Sequence, residues 1–297
     1  MGEKDIWGKI LMSHADVFAD CENVLVYGGQ KVMCAENLRP APTESFYQGR
    51  QRMHSQFCDI SFYLVESGEI RAQYMIGNEM RLKRRQVLRK ASYQGGAYRQ
   101  QLESGKAVYP VMGMVIEWAR KSTHLPMSLH ALLEQEGVRK ENLELVDDVK
   151  LPVFHMNHLP KETRDKFTSD IGFVADYLNE GSFENRKGQE IVHVEALCEM
   201  MEALTGDIRF TALVDEMLKK QKEGKGVVMC EYIDMLEARG QARGEAIGEA
   251  RGQARGENRL AALLTKLYAL GREEDARQAV KDENIRKQLY QELRIAK

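Results

Sequence analysis

The sequence contains no long apolar run. A helix that crosses a membrane needs about 20 predominantly apolar residues in succession, and no such run occurs in this chain. The amino terminus, MGEKDIWGKI, is charged and lacks the apolar segment of a secretory signal. We therefore expect a soluble, cytoplasmic protein with no membrane partner.

Cysteine is scarce and is not arranged in pairs. The 5 cysteines lie far apart, and none belongs to a C-x-x-C motif. Disulfide frameworks and zinc sites are both recognised by closely spaced cysteines. The spacing therefore argues against either kind of site and predicts reduced thiols.

Neither sign of charge is in large excess. The 43 Lys and Arg residues against 45 Asp and Glu residues give a net charge of -2. A protein held on nucleic acid by its overall charge is expected to be strongly basic. Any contact with nucleic acid must therefore come from a local basic patch.

The apolar pattern predicts an α/β fold in the first part of the chain. Residues 32–49 contain Pro40 and Pro42 and are predicted to form a connecting loop. Two β-like runs joined by the turn residues 66–69 predict a hairpin. The predicted elements are a helix within residues 9–27, strands Ile60–Val65 and Ile70–Ile76, a helix over Arg81–Arg99, and strands within Tyr109–Trp118 and at Pro152–Phe154.

After Pro160 the sequence has helical patterns only. The order of elements predicts an α/β domain over residues 1–180, a helical segment over 181–236, and a repeat with terminal helices over 237–297. The predicted helices are Lys161–Asn179, Glu190–Leu204, Arg209–Gln221, Met229–Arg239, Asn258–Leu270 and a last helix that ends near Ile295.

The predicted hairpin brings acidic residues together at its open end. In an antiparallel pair the start of the first strand lies beside the end of the second, which places Asp59 near residues 77–80. Two carboxylates held close together suit Mg²⁺, which prefers oxygen ligands and keeps several waters. The alternative is that these acids are ordinary solvated strand ends.

A series of short motifs runs along the chain in a set order. They are Phe18-Ala19-Asp20, Tyr27-Gly28-Gly29, Asp59, Ile70-Arg71, residues 92–99, Tyr109-Pro110-Val111, Ser169-Asp170 and residues 173–177. In order and spacing they resemble the recombination-promoting nuclease and transposase-like family, part of the PD-(D/E)XK nuclease superfamily, over residues 15–257. The resemblance implies a PD-(D/E)XK-like core, a mixed sheet with flanking helices, followed by an all-helical extension. It also implies a DNA endonuclease that depends on Mg²⁺ or Mn²⁺.

The resemblance further implies an aspartate at the start of the hairpin and a Glu-x-Gln at its far end. Asp59 matches the aspartate, whereas an ungapped match puts the glutamate position on Asn78 and the glutamine position on Met80. Glu79 is the nearest carboxylate, and a β-bulge at Gly77 would be needed to bring it to the face of Asp59. We predict Asp59 and Glu79 as catalytic and metal-binding residues, with Asn78 as a further metal ligand.

A basic segment follows the hairpin directly. Between positions 81 and 90 the bases are Arg81, Lys83, Arg84, Arg85, Arg89 and Lys90, and no acid interrupts them. Such a segment predicts contacts with DNA phosphates, and its alternative explanation is a solvated helix face. Tyr93, Tyr98 and Arg99 on the next helix are candidates for orienting the substrate, the alternative for the tyrosines being half-buried packing. His155 and His158 are interpreted as loop histidines because a third metal ligand is missing.

Residues 237–257 read EARGQARGEAIGEARGQARGE, a tetrapeptide repeat that ends in glycine. In a helix each column of this repeat drifts by only about 40° per repeat, so a glycine stripe would let two helices approach closely. This predicts a homo-oligomer formed through residues 237–297, and the alternative is a spacer. For the whole chain, the alternative to a nuclease is a catalytically inactive DNA-binding or protein-interaction module.

Overall fold

The computed structural model describes residues 9–48, 53–105, 107–119, 121, 125–212, 214–229, 231, 234–235, 255–293 and 295. The chain divides into two compact units, Met1–Cys230 and Glu231–Lys297. The first unit contains both helices and strands, so the predicted α/β class is confirmed for it. Among the described residues no helix is long and apolar enough to cross a membrane.

The first unit is built around a mixed five-stranded sheet in the order β1-β4-β5-β6-β7, and β2 and β3 form a separate pair. Strands β1, β4 and β5 pair antiparallel, whereas β5, β6 and β7 run parallel. The strands are β1 (Leu38–Pro40), β2 (Glu44–Gln48), β3 (Met53–Phe57), β4 (Ile60–Glu66), β5 (Glu69–Glu79), β6 (Val111–Glu117) and β7 (Val153–His155).

The predicted hairpin is confirmed as β4 and β5. Its turn residues Ser67 and Gly68 both have positive φ, 53° and 83°, the conformation that matches the twist of a two-residue hairpin turn. Next to the turn the register shifts, because Val65 pairs with Ile70 while Leu64 pairs with Ala72. Arg71 is therefore an extra residue, a β-bulge that moves the rest of β5 by one position relative to β4.

Helices cover both faces of the sheet. Helix α1 (Ala15–Leu25) lies on one face, where Phe18 packs on Phe62 with a centroid distance of 4.6 Å. Helix α2 (Gln86–Ser104) lies on the other, where Ala97 packs with Met75 of β5. Because side chains alternate along a strand, beyond the bulge the odd-numbered residues of β5 face α2 and the even-numbered ones face α1.

Two predicted boundaries are wrong near the hairpin. The predicted loop over residues 32–49 contains β1 and β2; Pro40 is tolerated because β1 is an edge strand, where a missing N–H costs little. The predicted helix Arg81–Arg99 begins only at Gln86 and ends at Ser104. In the segment before α2, the backbone N–H of Leu82 donates to a side chain of β6.

Further helices follow the sheet. They are α3 (Leu129–Gln135), α4 (Lys140–Leu143), α5 (Lys161–Arg164), α6 (Ile171–Glu180), α7 (Val194–Thr205) and α8 (Val214–Lys222). The predicted single helix Lys161–Asn179 is therefore wrong, since α5 and α6 are separate. The interruption contains Phe167, whose carbonyl oxygen accepts a 2.5 Å bond from Arg186.

A buried ion network holds α5 and α6 together. Asp176 is fully buried and accepts from Arg164 at 3.0 Å and from Arg186 at 2.7 Å, one arginine on each carboxylate oxygen. Arg186 also donates to the carbonyl oxygen of Arg164 at 2.6 Å. The guanidinium groups thus satisfy the backbone carbonyls that the break between the two helices leaves open.

The second unit is helical over its described residues, with α9 (255–269), α10 (Glu273–Lys281) and α11 (Glu283–Glu292). The apolar stripe of α9 is buried within the unit, where Leu263 and Leu267 pack against Ala276 and Leu289. The predicted single last helix is wrong because Asp282 caps α11, accepting from the N–H of Asn284 at 2.7 Å. Most of the tetrapeptide repeat lies outside the described residues, so self-association stays a prediction.

Candidate acidic site at the open end of the hairpin

Asp59 immediately precedes β4 and lies at the open end of the hairpin. The pairing of Ile60 with Ile76, continued by one residue, puts Asp59 beside Gly77. One carboxylate oxygen accepts from the backbone N–H of Asn78 at 2.7 Å, and the other is 2.7 Å from the Lys9 ammonium. The side chain is 19% exposed, so Asp59 is accessible from solvent.

Glu79 lies on the same face of the sheet as Asp59. Asp59 lies opposite Gly77, and residues directly opposite in the ladder project to the same face of the sheet. Glu79 is two residues beyond Gly77 on β5, so its side chain also projects to that face. Pairing with β6 continues in step from Gln73 to Glu79, so the expected bulge is not at Gly77. The one-residue shift comes from Arg71 at the opposite end of the hairpin.

Basic and amide groups from α2 hold the Glu79 side chain. Its Oε1 accepts from Arg89 at 2.6 Å and from the Gln86 amide at 2.9 Å. The Glu79 side chain is 12% exposed. Both acids therefore have a positively charged neighbour, Lys9 for Asp59 and Arg89 for Glu79.

Asn78, the further predicted metal ligand, lies on the opposite face, which α1 covers. The residue is buried, and its Oδ1 accepts from the indole N–H of Trp118 at 3.2 Å. Its Nδ2 is buried with no hydrogen-bond partner among the described residues. The structure thus separates Asn78 from Asp59 and Glu79, since neighbouring residues of a strand point in opposite directions.

Glu79, Glu117 and His155 lie side by side at the ends of three adjacent strands. Glu79 pairs with Glu117 of β6, and Glu117 pairs with His155 of β7, each at the carboxyl end of its strand. Glu117 is fully buried; Oε1 accepts from the N–H of Leu82 at 3.0 Å, and Oε2 is 2.6 Å from His155 Nδ1. The prediction that His155 is a loop histidine is wrong, because it ends a strand.

The carboxylates of Asp59 and Glu79 are possible ligands of a divalent cation. No group of three or more His, Cys, Asp and Glu side chains within the described ranges is arranged to hold a metal ion. Mg²⁺ commonly binds through only one or two carboxylates and keeps several waters. Asp59 and Glu79 share a face and supply two carboxylates of the kind that Mg²⁺ prefers.

The basic segment is divided between engaged and exposed side chains. Arg89 pairs with Glu79, Arg84 lies 3.2 Å from Glu136, and Lys90 donates to the carbonyl oxygen of Lys150 at 2.7 Å. Burial lowers the pKa of Lys90. The remaining three bases are exposed and form no ion pair in the part of the chain that the structure describes; they are Arg81, Lys83 and Arg85.

The residues predicted to orient a substrate lie along α2 in different surroundings. The Tyr93 hydroxyl accepts from Arg89 at 3.1 Å, so this ring touches a partner of Glu79. The Tyr98 hydroxyl accepts from the N–H of Val111 at 3.0 Å and thereby fixes the start of β6. Arg99 is exposed.

No family model, curated protein or solved structure matches this chain. The family resemblance is therefore a proposal, and it depends on motif order and on the geometry of the site.

Sequence reasoning missed Glu117, and it assigned no role to His155. A signal was present, since each residue ends a predicted strand, Glu117 within Tyr109–Trp118 and His155 directly after Pro152–Phe154. The carboxyl ends of parallel strands meet at one edge of a sheet, where α/β proteins commonly place their sites. The parallel pairing of β5, β6 and β7 was the missing information.

Proposed function

We propose that this chain is a metal-dependent DNA endonuclease related to the recombination-promoting nuclease and transposase-like family. The observation that carries the proposal is the position of Asp59 and Glu79 on one face at the open end of the hairpin. The mixed sheet with a helix on each face is compatible with a PD-(D/E)XK-like core. The motif order along the sequence supports the same assignment.

In the proposed nuclease, Asp59 and Glu79 would hold Mg²⁺ or Mn²⁺. The bound ion would supply a polarised phosphate and an activated water. Lys9 and Arg89 balance the charge of the two acids when no cation is bound. Exposed bases of the segment 81–85 contact DNA phosphates beside the site, an arrangement that favours binding without sequence preference.

Plasmid nicking tests this function. We expect the full-length protein with Mg²⁺ or Mn²⁺ to nick supercoiled plasmid, and chelation by EDTA to stop the reaction. Asp59→Asn and Glu79→Gln each remove a charged ligand and are expected to slow nicking by about two orders of magnitude or more. Glu69→Gln is the matched control, because Glu69 is an exposed acid at the turn end of the same hairpin.

A second candidate function is a catalytically inactive DNA-binding or protein-interaction module with the same fold. It is favoured by the ion pairs that already engage both acids and by Gly77, which offers no side chain directly opposite Asp59. If micromolar protein binds duplex DNA but does not nick it, the result would support an inactive DNA-binding module. Nicking that survives both substitutions would remove Asp59 and Glu79 from the proposed site.

A further inference from the structure

The row formed by Glu79, Glu117 and His155 extends the acidic site along the carboxyl ends of three parallel strands. Residues paired across adjacent strands project to the same face, with about 4.8 Å between strands. Glu117 therefore stands next to Glu79, and His155 stands next to Glu117. His155 therefore lies about 10 Å from Glu79 along the row, the span that a bound phosphodiester and its attacking water would have to cover.

The hydrogen bonds of Glu117 fix which nitrogen of His155 carries the hydrogen. Glu117 is fully buried and already accepts from the Leu82 N–H through Oε1. Its Oε2 faces His155 Nδ1 at 2.6 Å, and an ionised carboxylate can only accept. With Glu117 ionised, Nδ1 is the donor, and in the neutral ring Nε2 holds the free lone pair.

His155 is available to a substrate, whereas Glu117 is not. The His155 side chain is 26% exposed and that of Glu117 is fully buried. Within the described part of the chain the imidazole bonds through Nδ1, so Nε2 is the nitrogen that can face a reactant. A buried carboxylate that orients an imidazole, with the other nitrogen open, is the arrangement by which proteins prepare histidine for proton transfer.

We propose that His155 is the catalytic proton acceptor of the nuclease and that Glu117 is its positioning residue. The inference rests on the function proposed above. An O–H bond of the attacking water breaks, and its proton moves to Nε2 while the water oxygen bonds to phosphorus. The bond from phosphorus to the leaving oxygen breaks, and that oxygen takes a proton from solvent. The imidazolium, paired with Glu117, then releases its proton to solvent.

The His155→Asn substitution preserves the positioning bond and removes the reactive nitrogen, because the amide of asparagine can donate from near the place of Nδ1. In full-length protein with Mg²⁺, His155→Asn is expected to slow plasmid nicking about 100-fold or more. Its affinity for duplex DNA and its unfolding midpoint are expected to stay at the wild-type values. His158→Asn is the matched control, since His158 is exposed three residues away and should nick at the wild-type rate.

Glu117→Gln tests the positioning role by a signal that does not depend on activity. The amide side chain of this variant offers only one accepting atom, so it cannot serve both Leu82 N–H and His155 Nδ1. In ¹⁵N NMR spectra of the imidazole, the fraction of the Nδ1–H tautomer of His155 is expected to fall, together with the nicking rate. An unchanged tautomer population would overturn the positioning role.

The outcomes separate the two proposals. Wild-type nicking with equal nicking by His155→Asn overturns the role of His155 and leaves the nuclease in place. A loss of DNA affinity that matches the loss of rate also overturns it, because His155 would then serve binding. Absence of nicking by the wild-type protein overturns the nuclease and this inference together, whatever the tautomer of His155.

Discussion

Glu22 is a carboxylic acid on the inner face of α1, where the fold offers it no cation. It is buried, and its side chain forms no ion pair within the described part of the chain. Burial raises its pKa from 4.5 to about 8, because the charged form cannot be solvated there. At neutral pH the folded protein therefore holds Glu22 mainly as the uncharged acid.

Glu22 gives the first unit a pH-dependent stability. The folded state keeps a proton that the unfolded state releases above pH 4.5, so this contribution is complete below that pH and is lost as pH rises through about 8. The expected slope is on the order of 1 kcal/mol per pH unit. Glu22→Gln should remove the slope and make the variant relatively more stable toward pH 8.

Urea unfolding between pH 5 and pH 8, followed by tryptophan fluorescence, measures this effect. Trp118, a buried residue of the first unit, reports on its unfolding. Glu162→Gln, at an exposed position, is the control for charge removal. Equal pH slopes for wild type and Glu22→Gln would contradict the assignment.

The residues of the site differ in how far the sequence predicts them. Asp59 and the region of Glu79 follow from the alternation and turn signals of one hairpin, which are local. The face to which Glu79 projects cannot be predicted from the sequence, because nothing in the sequence around Arg71 predicts a bulge. The partnership of Glu117 with His155 depends on parallel pairing between segments far apart in sequence, which no local pattern encodes.

At the scale of elements, the strands from β4 onward were predicted, whereas β1, β2 and β3 were missed. The β4–β5 hairpin, β6 and β7 are confirmed because alternation and β-branched residues are strong signals. The helix over Lys161–Asn179 was divided by Arg164 and Arg186, which bind backbone carbonyls as well as Asp176. The helical periodicity of a sequence does not predict such tertiary hydrogen bonds.

The same substitution in two helices is expected to act in opposite directions. A Cβ at Gly172 in α6 would lie 2.6 Å from Cζ of Arg186, a side chain fixed by Asp176, whereas a Cβ at Gly95 in α2 would meet nothing within 4 Å. Gly172→Ala should destabilise the first unit by about 3 kcal/mol. Gly95→Ala should stabilise it by about 0.5–1 kcal/mol, since alanine restricts the unfolded chain.

Each variant is the control for the other in urea unfolding followed by tryptophan fluorescence. A stability of Gly172→Ala at or above the wild-type value would show that Arg186 can move away from Asp176 at little cost. If Gly95→Ala is destabilised, the face of α2 that carries Gly95 must be in contact with another part of the protein.

At the scale of the whole molecule, the proposed attraction to DNA depends on a small part of the surface. The net charge is -2, so the exposed bases Arg81, Lys83 and Arg85 would act against a background that is slightly acidic. Binding should then depend strongly on these few side chains and on salt.

Salt titration of duplex binding measures the contribution of these bases. Each lost phosphate contact lowers the slope of log K against log salt by about 0.9, so the combined Arg81→Ala, Lys83→Ala and Arg85→Ala variant should lose about 2–3 units of slope. Lys219→Ala, Lys220→Ala and Lys222→Ala on α8 remove equal charge elsewhere as the matched control. Equal slopes for both triple variants would assign the binding to overall charge.

The bulge at Arg71 has a consequence for how related sequences could gain or lose activity. If Arg71 paired with Leu64 and formed no bulge, Asp59 would lie beside Ile76, and Glu79 would turn to the α1 face. A change that let Arg71 enter the ladder opposite Leu64 would thus separate the two acids and leave both in the sequence. Descendants could become silent in this way with every motif residue retained, and an inventory of those residues would miss the change.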